Sequence, residues 1–155
     1  MQQRGATAIE FSIVFALLFG IFWAVISYAM PFFLYQTMNY AATDAARHVL
    51  RVAPEADETS PMLTKLASDR VNATLSGMLP SAFRARVAEP VVNVQPVSII
   101  LPSGQPMALR ELVVSVRLRA PYNASPLVPQ LTLPGVGRIP DIPGDLRTEA
   151  RIRME

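Results

Sequence analysis

Few side chains in this chain have the means to do chemistry, and the one that stands out is a carboxylate. Glu10 opens a stretch, Phe11 to Thr43, that contains no Asp, Glu, Lys or Arg. A helix crosses a bilayer with about 20 apolar residues, so the chain is expected to insert into a membrane. A charged side chain at the helix centre costs ~2.5–3.5 kcal/mol there, and one at the edge calls for a cation and a function. Arg4 lies off the i+3 and i+4 spacings at which helical side chains meet, so it is a poor intrachain partner. A cut after Gly5 would create another cation. The new α-amino group on Ala6, with a pKa of about 8, would be largely protonated at neutral pH. It could then pair with Glu10, foremost on a neighbouring copy.

The other candidates are weaker. His48 is the single histidine and cysteine is absent, so a histidine- or thiolate-based metal centre, a catalytic triad and a disulfide framework all lack material. Gly135-Val136-Gly137 lacks the third glycine and the strand-to-helix setting of a nucleotide loop and reads as a turn. Asp141 and Asp145 around Gly144 fall short of the roughly six oxygens that Ca²⁺ requires and read as a solvated loop. Asn72-Ala73-Thr74 and Asn123-Ala124-Ser125 match a glycosylation pattern short enough to arise by chance. Arg117, Arg119, Arg147, Arg151 and Arg153 are expected to share a sheet face and to pair with Glu111 and Glu149. No aromatic residues interleave them, which argues against nucleic-acid binding. The chain is therefore read as a non-enzyme with no catalytic residue, no metal and no cofactor.

These residues must be positioned by a helix and a small head. At 155 residues, 51% of them hydrophobic and with a net charge of +2, the chain has room for one membrane helix and one small domain. Residues 1–5 read as a leader. Residues 6–52 read as one helix about 70 Å long, its membrane part at about 9–35. Met38, Ala42, Ala45, Val49 and Val52 form a stripe on its outer half for a domain to pack against. Pro31, inside the helix, is expected to kink or loosen it. Arg4 and the amino terminus favour a cytoplasmic start, which places the rest outside.

Residues 53–155 read as an extracytoplasmic α+β head. An acidic turn, Ala53 to Thr59, leads to Ser60 and Pro61, a helix cap and first helical residue. The second helix runs to about Leu79 with Leu63, Ala67, Val71, Leu75 and Met78 on its apolar face. All prolines except Pro31, Pro54 and Pro61 fall from Pro80 to Pro143, a spacing that suits short strands and turns. Strands are expected at Arg86–Val94, with Pro90 confining it to an edge, and at Val97–Leu101. The clearest is Leu109–Ala120, with Leu112, Val114, Val116 and Leu118 pointing one way. Tyr122–Asp145 reads as one long loop with a functional or interface role. Alternation from Leu146 to Glu155 predicts a closing strand with a charged outer face.

A short basic leader ending in Gly5, with Glu10 and Phe11 in register on the helix that follows, resembles the processing site of type IV pilin precursors. The stretches Gly5-Ala6-Thr7-Ala8-Ile9-Glu10-Phe11 and Ala41-Ala42-Thr43-Asp44-Ala45-Ala46-Arg47 resemble more narrowly the TadE-like family of pilin-like proteins from tight-adherence pilus systems. The resemblance implies cleavage between Gly5 and Ala6 by a prepilin peptidase, with Glu10 and Phe11 serving assembly. It also implies an inner-membrane platform with its ATPase, and other pilin and minor-pilin subunits, as partners. The head implies a minor pilin or pseudopilin, since the major subunit of such fibres is expected to be little more than the helix. Two other readings stand beside it. A signal-anchored, monomeric binding module would keep the helix as an uncleaved tether. Signal-peptidase cleavage at Ser27-Tyr28-Ala29 would start the mature chain at Met30, but Glu10 interrupts its charge pattern and the apolar run continues past the cut.

Overall fold

The computed structural model describes residues 3–52, 61–102, 104–133, 135, 137–142 and 144–154. It has a long N-terminal apolar helix, a second helix and an antiparallel sheet, an α+β arrangement of pilin-like form. Helix α1 spans Gln3–Val52 without interruption at Pro31, a length of about 75 Å. It is long and apolar enough to cross a membrane. Helix α2 spans Pro61–Met78, and a single turn, α3, spans Ser81–Arg84. The expected acidic turn and the Ser60 cap lie outside the described residues.

Three strands form the main sheet. β1 (Val91–Ile100) pairs antiparallel with β2 (Pro106–Arg117), which pairs antiparallel with β5 (Arg147–Met154). The expected strands on either side of Pro96 are in fact one strand. β1 is an edge, where a proline costs no ladder bond if its missing N–H side faces away from the neighbour. The strand also starts later than Arg86. Val87 makes only an isolated bridge to Leu118, and Arg86 accepts the Arg119 amide at 2.8 Å. The β1–β2 turn closes with Gly104 N–H donating to Leu101 O at 2.8 Å, and Gly104 holds a φ of 81° that side chains resist.

The core lies between the outer half of α1, α2 and the inner sheet face. Leu34, Met38, Ala41, Ala42, Ala45, Ala46 and Val49 of α1 are buried there with Leu63, Ala67, Val71 and Leu75 of α2. Leu112, Val114, Val116 and Ala150 cover them from the sheet. The run of alanines leaves little side chain between α1 and its neighbours, and the bulk is supplied by branched residues opposite. Two expected core positions are corrected. Val52 is 51% exposed and Met78 46% exposed. α1 runs on past its cover at Val52, and Leu79, whose amide bonds Leu75 O at 2.9 Å, takes the place expected of Met78.

Tyr122–Asp145 is not one irregular loop. It holds a 3₁₀ turn at Tyr122–Ala124 and a second, two-stranded sheet of β3 (Leu131–Leu133) and β4 (Gly137–Ile139). Gly135 and Gly137 have φ of 80° and 99°, the backbone reason that this stretch turns. Asn123 knots the segment together. Its Nδ2 donates to Ile142 O at 2.8 Å and to Asp141 Oδ1 at 3.3 Å, while its Oδ1 accepts from Gln130 Nε2 at 3.3 Å.

The polarity of the head follows from one hydrogen bond. Tyr28 Oη, on the membrane half of α1, accepts the Asp141 amide at 3.2 Å. Ile142 and Leu146, immediately before β5, line a groove with Tyr28, Pro31, Phe32 and Tyr35. β5 therefore starts at the pole nearest the apolar half of α1 and runs away from it, and the β1–β2 turn lies at the opposite, distal pole.

Candidate functional site

The site residues expected from the sequence all lie on α1. Gly5, Ala6, Glu10 and Phe11 fall in its first turns and are exposed. Glu10 shares the helix face of Ala6, one turn away, because residues four apart stack on one side. Among the described residues no ion pair reaches Glu10. The carboxylate is presented outward on a bare helix, and Ser27, the nearest fully buried residue of α1, lies about 25 Å further along the axis. The head therefore neither neutralises nor shields it.

Phe11 begins a feature that the sequence reading missed. Phe11, Phe15, Phe19 and Trp23 stack in series, with ring centroids 6.1, 6.3 and 6.3 Å apart. Recurrence of aromatics every four residues was the available signal. The i+4 row is also the ridge that one helix offers to the groove of another, and here Phe11, Phe15 and Phe19 stand exposed along the apolar half of α1 while Trp23 is half-buried.

The head contributes two charged arrangements. On α1, Asp44 accepts from Arg70 Nε at 2.7 Å and from Thr74 Oγ1 at 3.1 Å. This clips α2 to the helix just outside the membrane half. The Arg70 hydrogen bond holds the Asp44 carboxyl below its ordinary value, with Thr74 adding to it against the opposing effect of burial. A depressed carboxylate stabilises the fold above its unfolded pKa, and that contribution is lost as pH falls through the folded value. Wild-type protein in detergent should therefore lose melting temperature below about pH 4 more steeply than Asp44→Asn. The variant should melt lower at neutral pH and converge with the wild type in acid. Circular dichroism melts across that range check this, and parallel pH profiles would refute it.

On the outer sheet face, Arg147 and Arg151 flank Glu149 along β5, the second at 3.0 Å, and Arg153 reaches Glu111 across the strands at 3.7 Å. Glu149 is held below its ordinary value, chiefly by the Arg151 hydrogen bond. Of the five arginines expected to pair with Glu111 and Glu149, Arg147, Arg151 and Arg153 do so. Arg119 leaves the face instead and donates through Nε to Val87 O at 3.0 Å. His48 is half-buried on α1, and among the described residues no three His, Cys, Asp or Glu side chains converge.

No curated protein and no solved structure matches the chain. Residues 5–47, the stretch that carries Gly5, Glu10, Phe11 and the Asp44 region, match the family model described as TadE-like protein, so that this helix is similar to the TadE-like family.

Proposed function

We propose that this chain is a minor pilin or pseudopilin of a tight-adherence pilus system, synthesised as a precursor and cleaved between Gly5 and Ala6 by a prepilin peptidase. The TadE-like match ties the N-terminal helix to such systems, whose family is structural and not enzymatic. The observation that carries the finer reading is the register of Gly5, Glu10 and Phe11 within the matched stretch, with Glu10 standing outward on a helix that the head leaves bare.

Cleavage would place a cationic amine on Ala6. In the assembling fibre, where apolar helices bundle away from water, that amine and Glu10 of an adjacent subunit would neutralise each other. A charge left alone there is far more costly than a matched pair. The aromatic ridge from Phe11 to Trp23 offers the packing surface for the neighbouring helix. Pro31 would let the helix loosen as it leaves the bilayer, with the head outside the inner membrane. Prepilin peptidase, the inner-membrane platform and other pilin subunits would be the partners, and attachment to surfaces the outcome.

Fibres sheared from cells should contain this chain. A monomeric binding module on an uncleaved tether would remain wholly with the membranes. Immunodetection in the sheared and membrane fractions separates the two.

A further inference from the structure

The head does not begin where the bilayer ends. From Phe11, about 20 helical residues, or 30 Å, carry α1 across the hydrocarbon, which brings it to Met30. Yet Ser27 is fully buried, and half-burial continues down α1 through Ala24, Trp23 and Gly20. Tyr28 holds the Asp141 amide. A groove of about 490 Å³ between α1 and Ile142–Leu146 is almost wholly apolar. Tyrosines such as Tyr28 and Tyr35 favour the headgroup level, where a ring meets lipid and its hydroxyl meets water. The head thus meets α1 at the outer surface of the bilayer through Tyr28 and the groove, and cover on the helix extends from there toward Gly20.

The β3–β4 ribbon sits in that segment, and its two faces differ. Leu131 pairs with Ile139 and Leu133 with Gly137, which puts the apolar side chains on one face. Thr132 pairs with Arg138 on the other. Arg138 is the single charged residue from Leu127 to Pro140. Leu131 and Leu133 keep 38% and 37% of their surface exposed and Ile139 is half-buried, so the protein covers part of this face and leaves the rest open. The base of the ribbon is fixed: Gln130 Nε2 donates to Pro140 O at 3.3 Å, Asn123 holds Ile142, and Pro140 is fully buried. A two-stranded ribbon is marginal alone, and here it is braced against the pole that faces the bilayer.

We propose that the β3–β4 ribbon is a lipid-contacting element that seats Leu131, Leu133 and Ile139 in the interface of the outer leaflet while Arg138 meets lipid phosphate. An amphipathic surface with one apolar face and a cationic opposite face is the form that lies in a membrane interface. With α1 it gives the head two attachments, which fixes its tilt on the membrane. The proposal requires only that α1 crosses the bilayer, and stands apart from the pilin reading.

The chain contains no cysteine, so single cysteines can be labelled cleanly. Full-length Leu131→Cys, Leu133→Cys, Val25→Cys and Ile100→Cys variants would be reconstituted in phosphatidylcholine–phosphatidylglycerol vesicles and labelled with a polarity-sensitive dye. Val25 is 64% exposed on the membrane half of α1, and Ile100 is 80% exposed at the distal pole. Labels at Leu131 and Leu133 should be blue-shifted and quenched several-fold more by shallow doxyl lipid than by aqueous iodide. Ile100 should show the reverse, and Val25 should respond to the deep doxyl lipid. Labels at Leu131 and Leu133 that behave like Ile100 while Val25 is quenched by lipid would overturn the proposal alone. If Val25 also escapes the lipid quencher, the proposal falls together with the membrane crossing it requires.

Discussion

Glu10→Ala is expected to reduce the share of this chain found in sheared fibres by about a hundredfold or more, while its amount in the membrane and the melting of the head stay unchanged. Removing one partner of a buried pair costs about 3–5 kcal/mol because the other charge is left alone, and every ~1.4 kcal/mol is a tenfold change in an equilibrium. The separation of effects follows from geometry. Glu10 makes no ion pair among the described residues, and the head first buries α1 fully at Ser27, about 25 Å away. Glu10→Gln keeps size and polarity but lacks the charge, so it should fail as Glu10→Ala does. Glu10→Asp should recover part of the incorporation. The ratio of fibre-bound to membrane-bound protein checks all three, and an unchanged ratio in Glu10→Ala would leave only the tethered-module reading.

Gly5→Val should shift nearly all of the protein to the uncleaved form. A Cβ built on Gly5 meets nothing within 4 Å, and the backbone there is an ordinary helical turn. The fold therefore has no need of glycine at this position, and a valine favours α1 by a few tenths of a kcal/mol, because glycine is the poorer helix former. Any loss of processing then reports on the peptidase and not on the substrate's stability. The precursor should still insert, because the apolar run from Phe11 onward is untouched. It should also stay out of fibres, since without the Ala6 amine there is nothing for a neighbour's Glu10 to meet. Normal processing of the variant, seen as unaltered migration and mass, would move the cut elsewhere.

Much of the architecture was legible because it rests on periodicity. The buried stripe from Met38 to Val49, the α2 face from Leu63 to Leu75, and the alternation in β2 and β5 each repeat over several turns or pleats, and the structure keeps them. Ends were harder. Val52 and Met78 continue a pattern past the point where a partner covers it, and coverage is a property of the neighbour. Pro90 marked the first expected strand as an edge, but Pro96 still split it from the second on paper; the sheet order places the whole of β1 at the edge, where a proline is tolerated. The ribbon and its bracing were beyond reach for another reason. The contact between Tyr28 and Asp141 joins residues 113 apart, and nothing local to either end announces the other. Asn123 matched a glycosylation pattern by sequence, yet its amide is occupied in holding Asp141 and Ile142.

At the N-terminal end the balance is reversed. Gly5, Glu10 and Phe11 carry their meaning in order and spacing, which a sequence displays in full. The fold adds that the head keeps clear of Glu10 and that Phe11 heads an aromatic ridge. Both features suit a helix whose neighbours are other helices, while the charge proposed to meet Glu10 would arise only on cleavage after Gly5.

The most direct measurement is the intact mass of the native protein recovered from membranes and from sheared fibres. Our account predicts a chain that starts at Ala6 in both fractions. A mass starting at Met1 would mean that no amine is ever made for Glu10 to meet, and one starting at Met30 would mean that Glu10 is discarded; either result contradicts the account.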